Sequence, residues 1–422
     1  MNSRYTVLDM FAGAGGLTEG FFRQNYKIVT HIEMNPVAAQ TLQTRALFHS
    51  LSKINQKSLY DEYYEGRITR DEFFNECETL GIFDTGIINE EISSFTSSGI
   101  INEIHKRLDA EGENSVDVII GGPPCQAYSL IGRGRDSQKM KYDPRNHLYL
   151  HYLKFIHEFK PEMFVFENVP GLFSARNGEI LLDFQRKIKN LGYSHESNVK
   201  ILNASQFGVL QDRKRVIFIG WKDEHNLDYP AFENKENGYK VWNLLNDLPK
   251  LEPGTGTDGP QKYRAGRPSH YLRQMGIRTN EKYVRNHEAR YHNERDRRIY
   301  RIAIQKWNLE NRRIKYYELP ANLKTHKNQS SFSDRFKVVT GNGLSHSIVA
   351  HISKDGHYFI HPDIHQARSL TAREVARLQS FPDNYIFEGS RTSQYMQIGN
   401  AVPPLMSEAI ASETKKMLNS IF

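Results

Sequence analysis

The sequence predicts an α/β protein built on a doubly wound, mostly parallel sheet, with a second, smaller domain of largely β and irregular character. Three observations predict it. Apolar runs of strand length alternate with helix-periodic stretches through the first half of the 422 residues. A glycine turn, Gly13-Ala14-Gly15-Gly16, follows directly on the first apolar run. After Trp221 the alternation stops, and the chain becomes rich in Arg, Tyr, Asn, Gly and Pro. Strands alternating with helices of this length make βαβ units, whose parallel strands need crossover connections.

The elements follow in order. Residues 5–10 form a strand, and a helix runs from the glycine turn through Phe22. Residues 27–33 form a second strand, with a helix from Pro36. The polar, charged, helix-prone stretch 46–83 reads as a helical insertion, ahead of a strand near 87–92. Residues 116–120 form a further strand. Residues 148–159 form a helix, with Leu148, Tyr152, Phe155 and Phe159 on one face, and residues 163–167 a strand. Leu181, Phe184, Ile188 and Leu191 mark a helix that Gly192 stops. Residues 216–220 form the last strand of this half. Residues 249–266 read as a linker. The runs 347–352 and 358–360 read as strands of the second domain. Thr371-Ala372-Arg373-Glu374 is a capping box that opens a helix through Gln379, ended by Pro382. A final helix follows Pro404.

Composition excludes several classes. A 38% hydrophobic chain of this length can bury one large core and a smaller one. There is no apolar run of bilayer length and no leader-like amino terminus, which predicts a soluble protein. With only Cys77 and Cys125, a disulfide scaffold and a cysteine zinc site are poor explanations, and a reducing compartment is expected. The net charge of +7 is uneven. Residues 261–340 hold 20 Lys plus Arg against 7 Asp plus Glu, or +13, so the rest of the chain carries 7 − 13 = −6. A basic segment on a mildly acidic protein points to a polyanionic partner.

Cys125 sits in Gly121-Gly122-Pro123-Pro124-Cys125-Gln126, directly after an apolar strand. The glycines allow a sharp turn and the prolines stiffen it. A rigid loop at the carboxyl end of a parallel strand is where open α/β sheets put their chemistry. Burial as an inert small hydrophobe is the competing reading of this thiol. In the first half, Asp9-Met10-Phe11-Ala12-Gly13-Ala14-Gly15-Gly16-Leu17 lets a cofactor approach the backbone, and Glu33 at the end of the second strand is placed to accept from a ribose. The pair suits S-adenosylmethionine as well as a nicotinamide cofactor. His346, His351, His357, His361 and His365 are irregularly spaced and unsupported by cysteine, so no metal site is expected.

Taken in order, these pieces resemble the DNA (cytosine-5) methyltransferases over nearly the whole chain. The resemblance rests on Asp9 to Gly16, Gly121 to Ser129, Glu167-Asn168-Val169, Gln211-Asp212-Arg213-Lys214-Arg215, Arg368 to Pro382 and Gln397 to Pro404. It implies a Rossmann-like class I methyltransferase sheet that binds S-adenosylmethionine, with no metal. The implied organisation is a catalytic and cofactor-binding domain at 1–225, a target-recognition domain at 226–385 and a segment at 386–422 that returns to the first. The cofactor residues it implies are Phe11, Ala12, Gly13, Gly15, Gly16, Leu17, Glu33, Met34, Glu91, Ile92, Pro123, Leu148, Asn400 and Val402. Glu91-Ile92 stands where the family usually has Asp-Ile, Tyr128 where Phe is common, and the 46–83 insertion exceeds the minimal pattern.

Cytosine carbon 5 is a poor nucleophile until a thiolate adds at carbon 6. Cys125 is the expected nucleophile. Glu167 is expected at ring nitrogen 3 and the exocyclic amine. Arg213 and Arg215 alternate in an extended stretch and so project to one face, where they would hold the base carbonyl, the target phosphate and nearby carboxylates. Gln126 and Ser129 are expected on the flipped nucleotide's backbone. The expected partner is double-stranded DNA, with a separate cognate restriction endonuclease, in a prokaryotic cytoplasm. A transfer RNA methyltransferase of the same fold, and a catalytically silent DNA-binding protein, stay open as alternatives at this point.

Overall fold

The computed structural model describes residues 5–124, 147–194, 199–235, 238–325 and 333–422, the side chains of 174–177 excepted. A seven-stranded sheet is its frame. The strands are β1 (Thr6–Met10), β2 (Lys27–Ile32), β3 (Ile87–Ile88), β4 (Val118–Gly121), β5 (Met163–Asn168), β6 (Val199–Asn203) and β7 (Lys214–Trp221). Their spatial order is β3-β2-β1-β4-β5-β7-β6. Neighbours from β3 to β5 are parallel, and β7 runs antiparallel to both β5 and β6. The predicted mostly parallel α/β sheet is therefore present. The expected strand near 87–92 shortens to two residues, because the chain turns away at Asn89, whose side-chain amide donates to the Glu33 carbonyl at 2.7 Å. Strand β6 escapes sequence reading because it alternates poorly: Lys200 and Ile201 are both exposed.

Helices cover both faces. On one, α5 (Ser97–Glu111), α6 (Leu148–Phe159) and α7 (Glu179–Asn190) bury Ile104, Ile156 and Phe184 against Leu8, Val29, Phe164 and Phe218. On the other, Val7, Ile120, Val165 and Ile217 meet α1 (Gly16–Arg23) and the C-terminal helix α13 (Pro404–Ile421). These two helices touch so closely that a Cβ on Gly20 would lie 2.3 Å from the Glu408 amide nitrogen. Helix α2 (Pro36–Lys53) is opened by Asn35, whose side chain accepts from the amides of Val37 and Ala38. It runs on into the expected insertion, so 46–53 are its last turns. The rest of the insertion is α3 (Lys57–Tyr64) and α4 (Arg70–Thr79), the latter started by a Thr69/Glu72 capping box.

Beyond Trp221 the regular pieces are short. Paired strands are two residues long, and the longest element ahead of α13 is α10 (Glu294–Glu310), following the single-turn helices α8 (Trp242–Leu245) and α9 (His270–Gln274). The expected strand at 347–352 is replaced by a pair at Ser345–His346 and a 3-10 turn at Ala350–Ser353. The reason is local. The Ile348 amide donates to Gln211 Oε1 at 2.8 Å and its carbonyl accepts from Arg213 Nη1, so neither group is left for a ladder. The capping box at Thr371 is present and opens α11 (Ala372–Leu378). Arg368, Arg373 and Arg377 are all fully buried around this helix. Arg368 grips Glu374 at 2.7 and 2.8 Å, and Arg377 grips Asp383 and Asp247. Paired guanidiniums of this kind satisfy charge that would be costly to bury alone.

Candidate active site

The turn after β1 runs through left-handed backbone. Phe11, Gly13 and Gly15 have φ of 57°, 57° and 77°. Two contacts hold the turn from behind: Ala12 N–H donates to the Ile32 carbonyl at 3.1 Å, and Tyr385 Oη donates to the Ala14 carbonyl at 2.6 Å. A Cβ on Gly15 would stand 2.8 Å from Tyr385 Oη, and one on Gly16 would stand 2.3 Å from the Val402 carbonyl oxygen. Gly13 faces open space. Its N–H donates to Glu33 Oε2 at 2.8 Å, and the Asn35 N–H donates to Oε1 at 2.7 Å. Burial raises the Glu33 carboxyl above its ordinary range, and those two amides counter it in part. Beside it, Met34 is 57% exposed. A glycine cradle, an open wall, an anchored carboxylate and an exposed thioether suit a nucleoside with a charged tail.

The other expected cofactor residues divide. Leu17 and Val402 pack together in the core under the cradle. Asn400 is the exposed last residue of α12 (Arg391–Asn400), and Leu148 is the half-buried first residue of α6. Pro123 is buried, and its carbonyl accepts from Asn168 Nδ2 at 3.3 Å. Glu91 is exposed, whereas Ile92 turns its side chain into the core.

The carboxyl end of β5 carries the reactive-looking acid. Glu167 Oε1 lies 2.7 Å from Arg215 Nε, and Arg215 Nη1 donates to the Lys214 carbonyl at 2.8 Å. The second Glu167 oxygen lies against Gly122: a Cβ there would approach it to 2.5 Å. Burial raises the Glu167 carboxyl, and the charges of Arg215 and Arg213 pull it back only in part. Cys125, Gln126 and Ser129, together with Tyr128, lie outside the described residues. What is described is the base of their loop, Gly122-Pro123, held between Glu167 and Asn168.

Arg213 departs from the expected shared face with Arg215. It is fully buried, and its guanidinium donates to the carbonyls of Ile348, Gly399 (3.0 Å) and Ala401 (2.8 Å). It ties the strand carrying Arg215 to the Gly399–Ala401 turn, and reaches Glu167 through its charge. Gln211 and Gln379 complete this junction. Gln211 Nε2 donates to the Leu378 carbonyl at 2.9 Å, and Gln379 Nε2 donates to the Ile398 carbonyl at 2.8 Å. Sequence reasoning gave neither glutamine a role, although both sit inside motifs it marked. Three of the histidines of 346–365 have separate partners for their side chains: His346 has the Tyr358 carbonyl, His357 has Tyr300, and His361 has Glu374.

The comparisons with known proteins decide the family. A profile of the C-5 cytosine-specific DNA methylases matches residues 5–65 and 90–416. The chain belongs to that family. Its activity is the methylation of cytosine in DNA at carbon 5. The methyltransferase is 42% identical to the Type II methyltransferase M.Bpa9945I of Bacillus paralicheniformis, over 98% of this chain and 99% of that one. It is 32% identical to the Type II methyltransferase M.DdeI of Desulfomicrobium norvegicum, over 96% and 87%. Among solved structures it resembles one described as a DNA modification methyltransferase encoded within an E. coli prophage. There the TM-score is 0.66 at 22% identity, covering 98% of this chain and 99% of that one, a likeness of fold. Among the described residues, no helix of the methyltransferase is long and apolar enough to cross a membrane.

Proposed function

We propose that this methyltransferase takes its methyl group from S-adenosylmethionine and delivers it to a cytosine flipped out of double-stranded DNA. Cys125 acts as nucleophile, and Glu167 and Arg215 act on the base. The observation that carries this reading is the seat of Glu167: its side chain 12% exposed, 2.7 Å from Arg215, and packed on Gly122, three residues before the thiol. Burial raises the Glu167 carboxyl, which favours the protonated form that gives a hydrogen bond to an approaching ring nitrogen.

The Cys125 thiolate bonds to cytosine carbon 6 and pushes electrons toward carbon 5. Glu167 hydrogen-bonds ring nitrogen 3 and offsets the charge that the ring acquires. Carbon 5 then takes the methyl group, and loss of its proton with expulsion of the thiolate restores the ring. Arg215 keeps Glu167 in position and faces the base carbonyl. Bound S-adenosylmethionine supplies the electrophilic methyl. The residues that would hold it are the Phe11–Leu17 cradle, Glu33 at the ribose, and Met34, Glu91, Ile92, Pro123, Leu148, Asn400 and Val402 around the remainder. The open side of Gly13 and the Glu33 carboxylate on its N–H fit such a group. Gln126 and Ser129 would meet the flipped nucleotide.

Residues 1–225 serve as the catalytic and cofactor-binding part, 226–385 as the DNA-recognition part, and 386–422 return to the first. Much of the positive charge in 261–340 is met by the protein's own carboxylates: Arg278 pairs with Asp247 in the interior, and Arg297 with Glu252 and Arg312 with Glu318 at the surface. Exposed Lys262, Arg267, Arg273, Lys282 and Arg298 make no ion pair among the described residues, and are the phosphate-contact candidates. The Type II names of its relatives support a role as the modification half of a restriction–modification pair in a prokaryotic cytoplasm, with a separate endonuclease as partner.

The test is labelled methyl transfer from S-adenosylmethionine to unmethylated genomic DNA and, in parallel, to total transfer RNA, with identification of the modified nucleoside. The expected product is 5-methyldeoxycytidine from DNA alone. Cys125→Ser should lose turnover and keep DNA binding. Methylation surviving in that variant would overturn the mechanism.

A further inference from the structure

The helical insertion has no part in the chemistry above, and the family profile skips residues 66–89. The structure shows what it touches. Helices α3 and α4 share a core with the end of α2, built on Leu47, Leu51, Tyr60, Tyr63, Tyr64, Phe73 and the buried Cys77. From that core three tyrosine hydroxyls reach out of the insertion. Tyr60 donates to the Asn384 carbonyl at 2.6 Å. Tyr64 is shared between the carbonyls of Tyr283 and Asp383, at 3.0 and 2.9 Å. Tyr63 donates to Glu388 at 2.9 Å. The grip is returned by Arg285, whose Nη1 donates to the Tyr63 carbonyl at 2.7 Å. A Cβ on Gly66 would lie 3.0 Å from Pro260.

The gripped segments lead in two directions. Tyr283 belongs to a two-stranded ribbon with Gln261–Lys262, whose exposed lysines are Lys262 and Lys282. Asp383 accepts from Tyr263 at 2.6 Å and from Arg377, which links the same ribbon to α11. The insertion is a poor phosphate surface in its own right, since residues 66–89 carry two basic and five acidic side chains.

We propose that the insertion is a brace. Tyr60 and Tyr64 are positioning residues that fix the 261–284 ribbon and the 383–388 segment relative to the cofactor half, and so set how tightly and how selectively the enzyme engages DNA. This rests on the reading that 226–385 meets the DNA. A rigid platform keeps its phosphate and base contacts in register with the pocket; a loosened one loses discrimination before it loses chemistry.

The test is the full-length double variant Tyr60→Phe/Tyr64→Phe, which keeps both buried rings and removes only the hydroxyls. The substrate is methylation-free genomic DNA with S-adenosylmethionine, read by bisulfite sequencing. The expected result is a KM for DNA raised about five- to tenfold, as the loss of such hydrogen bonds gives, with kcat and cofactor affinity within about twofold. The ratio of methylation at wild-type sites to that at sites differing by one base should fall by a similar factor. Tyr193→Phe, which removes a hydroxyl donated to the Pro161 carbonyl at 2.7 Å at the far side of the sheet, should lower the thermal midpoint and leave that ratio unchanged. Three results would overturn the brace: a folded double variant with wild-type KM and ratio, loss of cofactor affinity in the same proportion as DNA affinity, or the same change in Tyr193→Phe. A wild-type enzyme that methylates no DNA would instead sink the parent reading.

Discussion

Glu167 Oε1 and Arg215 Nε, 2.7 Å apart, join neighbouring antiparallel strands at the mouth of the sheet, and the carboxyl is still raised above its ordinary range. Burial outweighs the guanidinium. That shift favours the protonated form, the one that gives a hydrogen bond to an incoming ring. Glu167→Gln keeps a donor in place and cannot exchange a proton. Its single-turnover methyl-transfer rate should fall by at least about 10²-fold, the usual scale for a lost acid–base group, with DNA affinity nearly unchanged by filter binding. A Gln variant retaining more than about a tenth of the wild-type rate would remove Glu167 from the chemistry.

The two arginines of the Gln211–Arg215 stretch should separate by experiment. Arg213 supplies donors to three buried carbonyls, of Ile348, Gly399 and Ala401. Lysine cannot reach all three. Leaving buried acceptors unmet costs about 1–3 kcal/mol each, so Arg213→Lys should lower the thermal midpoint by many degrees and weaken cofactor binding through the Gly399–Ala401 turn. Arg215→Lys should fold normally, bind cofactor and lose turnover. Thermal shift and cofactor titration on the two variants decide it. Equal behaviour would mean that both face the substrate.

The alternation of apolar strands with helical periods made the sheet legible, and the glycine turn and the Gly-Gly-Pro-Pro loop located its working edge. The seat of Glu167 was legible too, because an acid closing an otherwise apolar strand is unusual. Long-range choices of partner were not. Arg213 and Arg215 are two residues apart in an extended stretch, which suggests a common face. Yet the carbonyls that claim Arg213 come from residues 348, 399 and 401, and no local pattern reveals them. Ile348 has strand propensity and no strand, for the same reason. The insertion was visible as helical, but its tyrosine contacts to 283 and 383–388 exist only in three dimensions.

The glycines of the cradle should not be equivalent. A methyl group on Gly16 would meet the Val402 backbone carbonyl at 2.3 Å, and neither α1 nor the turn before α13 can yield. Gly16→Ala should therefore be poorly folded or lose several degrees of thermal midpoint and all cofactor affinity. Gly13 has nothing within 4 Å, and only its positive φ of 57° resists alanine. That conformation costs about 1–2 kcal/mol for a residue with a Cβ. Gly13→Ala should therefore fold and bind cofactor more weakly, by the bulk placed on the open wall. Calorimetric titration with S-adenosylhomocysteine on both variants is the check, and a milder effect at Gly16 than at Gly13 would contradict the packing described here.

Asp9, fully buried on β1 and hydrogen-bonded to Thr18 Oγ1, is pushed up to about 7 by burial, with the Glu33 charge adding to the effect and Thr18 opposing it. The unfolded chain titrates the same group near 3.8. Between those values the folded state binds the proton and the unfolded state has lost it. Stability from Asp9 is therefore fully present below about pH 4, falls as pH rises, and is gone above about pH 7. At 1.36 kcal/mol per unit the swing is at most about 4 kcal/mol. Asp9→Asn cannot titrate and can still accept from Thr18. Every other ionisable group changes alike in the two proteins and cancels in their difference. The thermal midpoint of Asp9→Asn minus that of the wild type should therefore grow steadily from pH 5 to pH 7.5 and level off beyond. A difference that stays constant across that range would show that Asp9 is charged throughout.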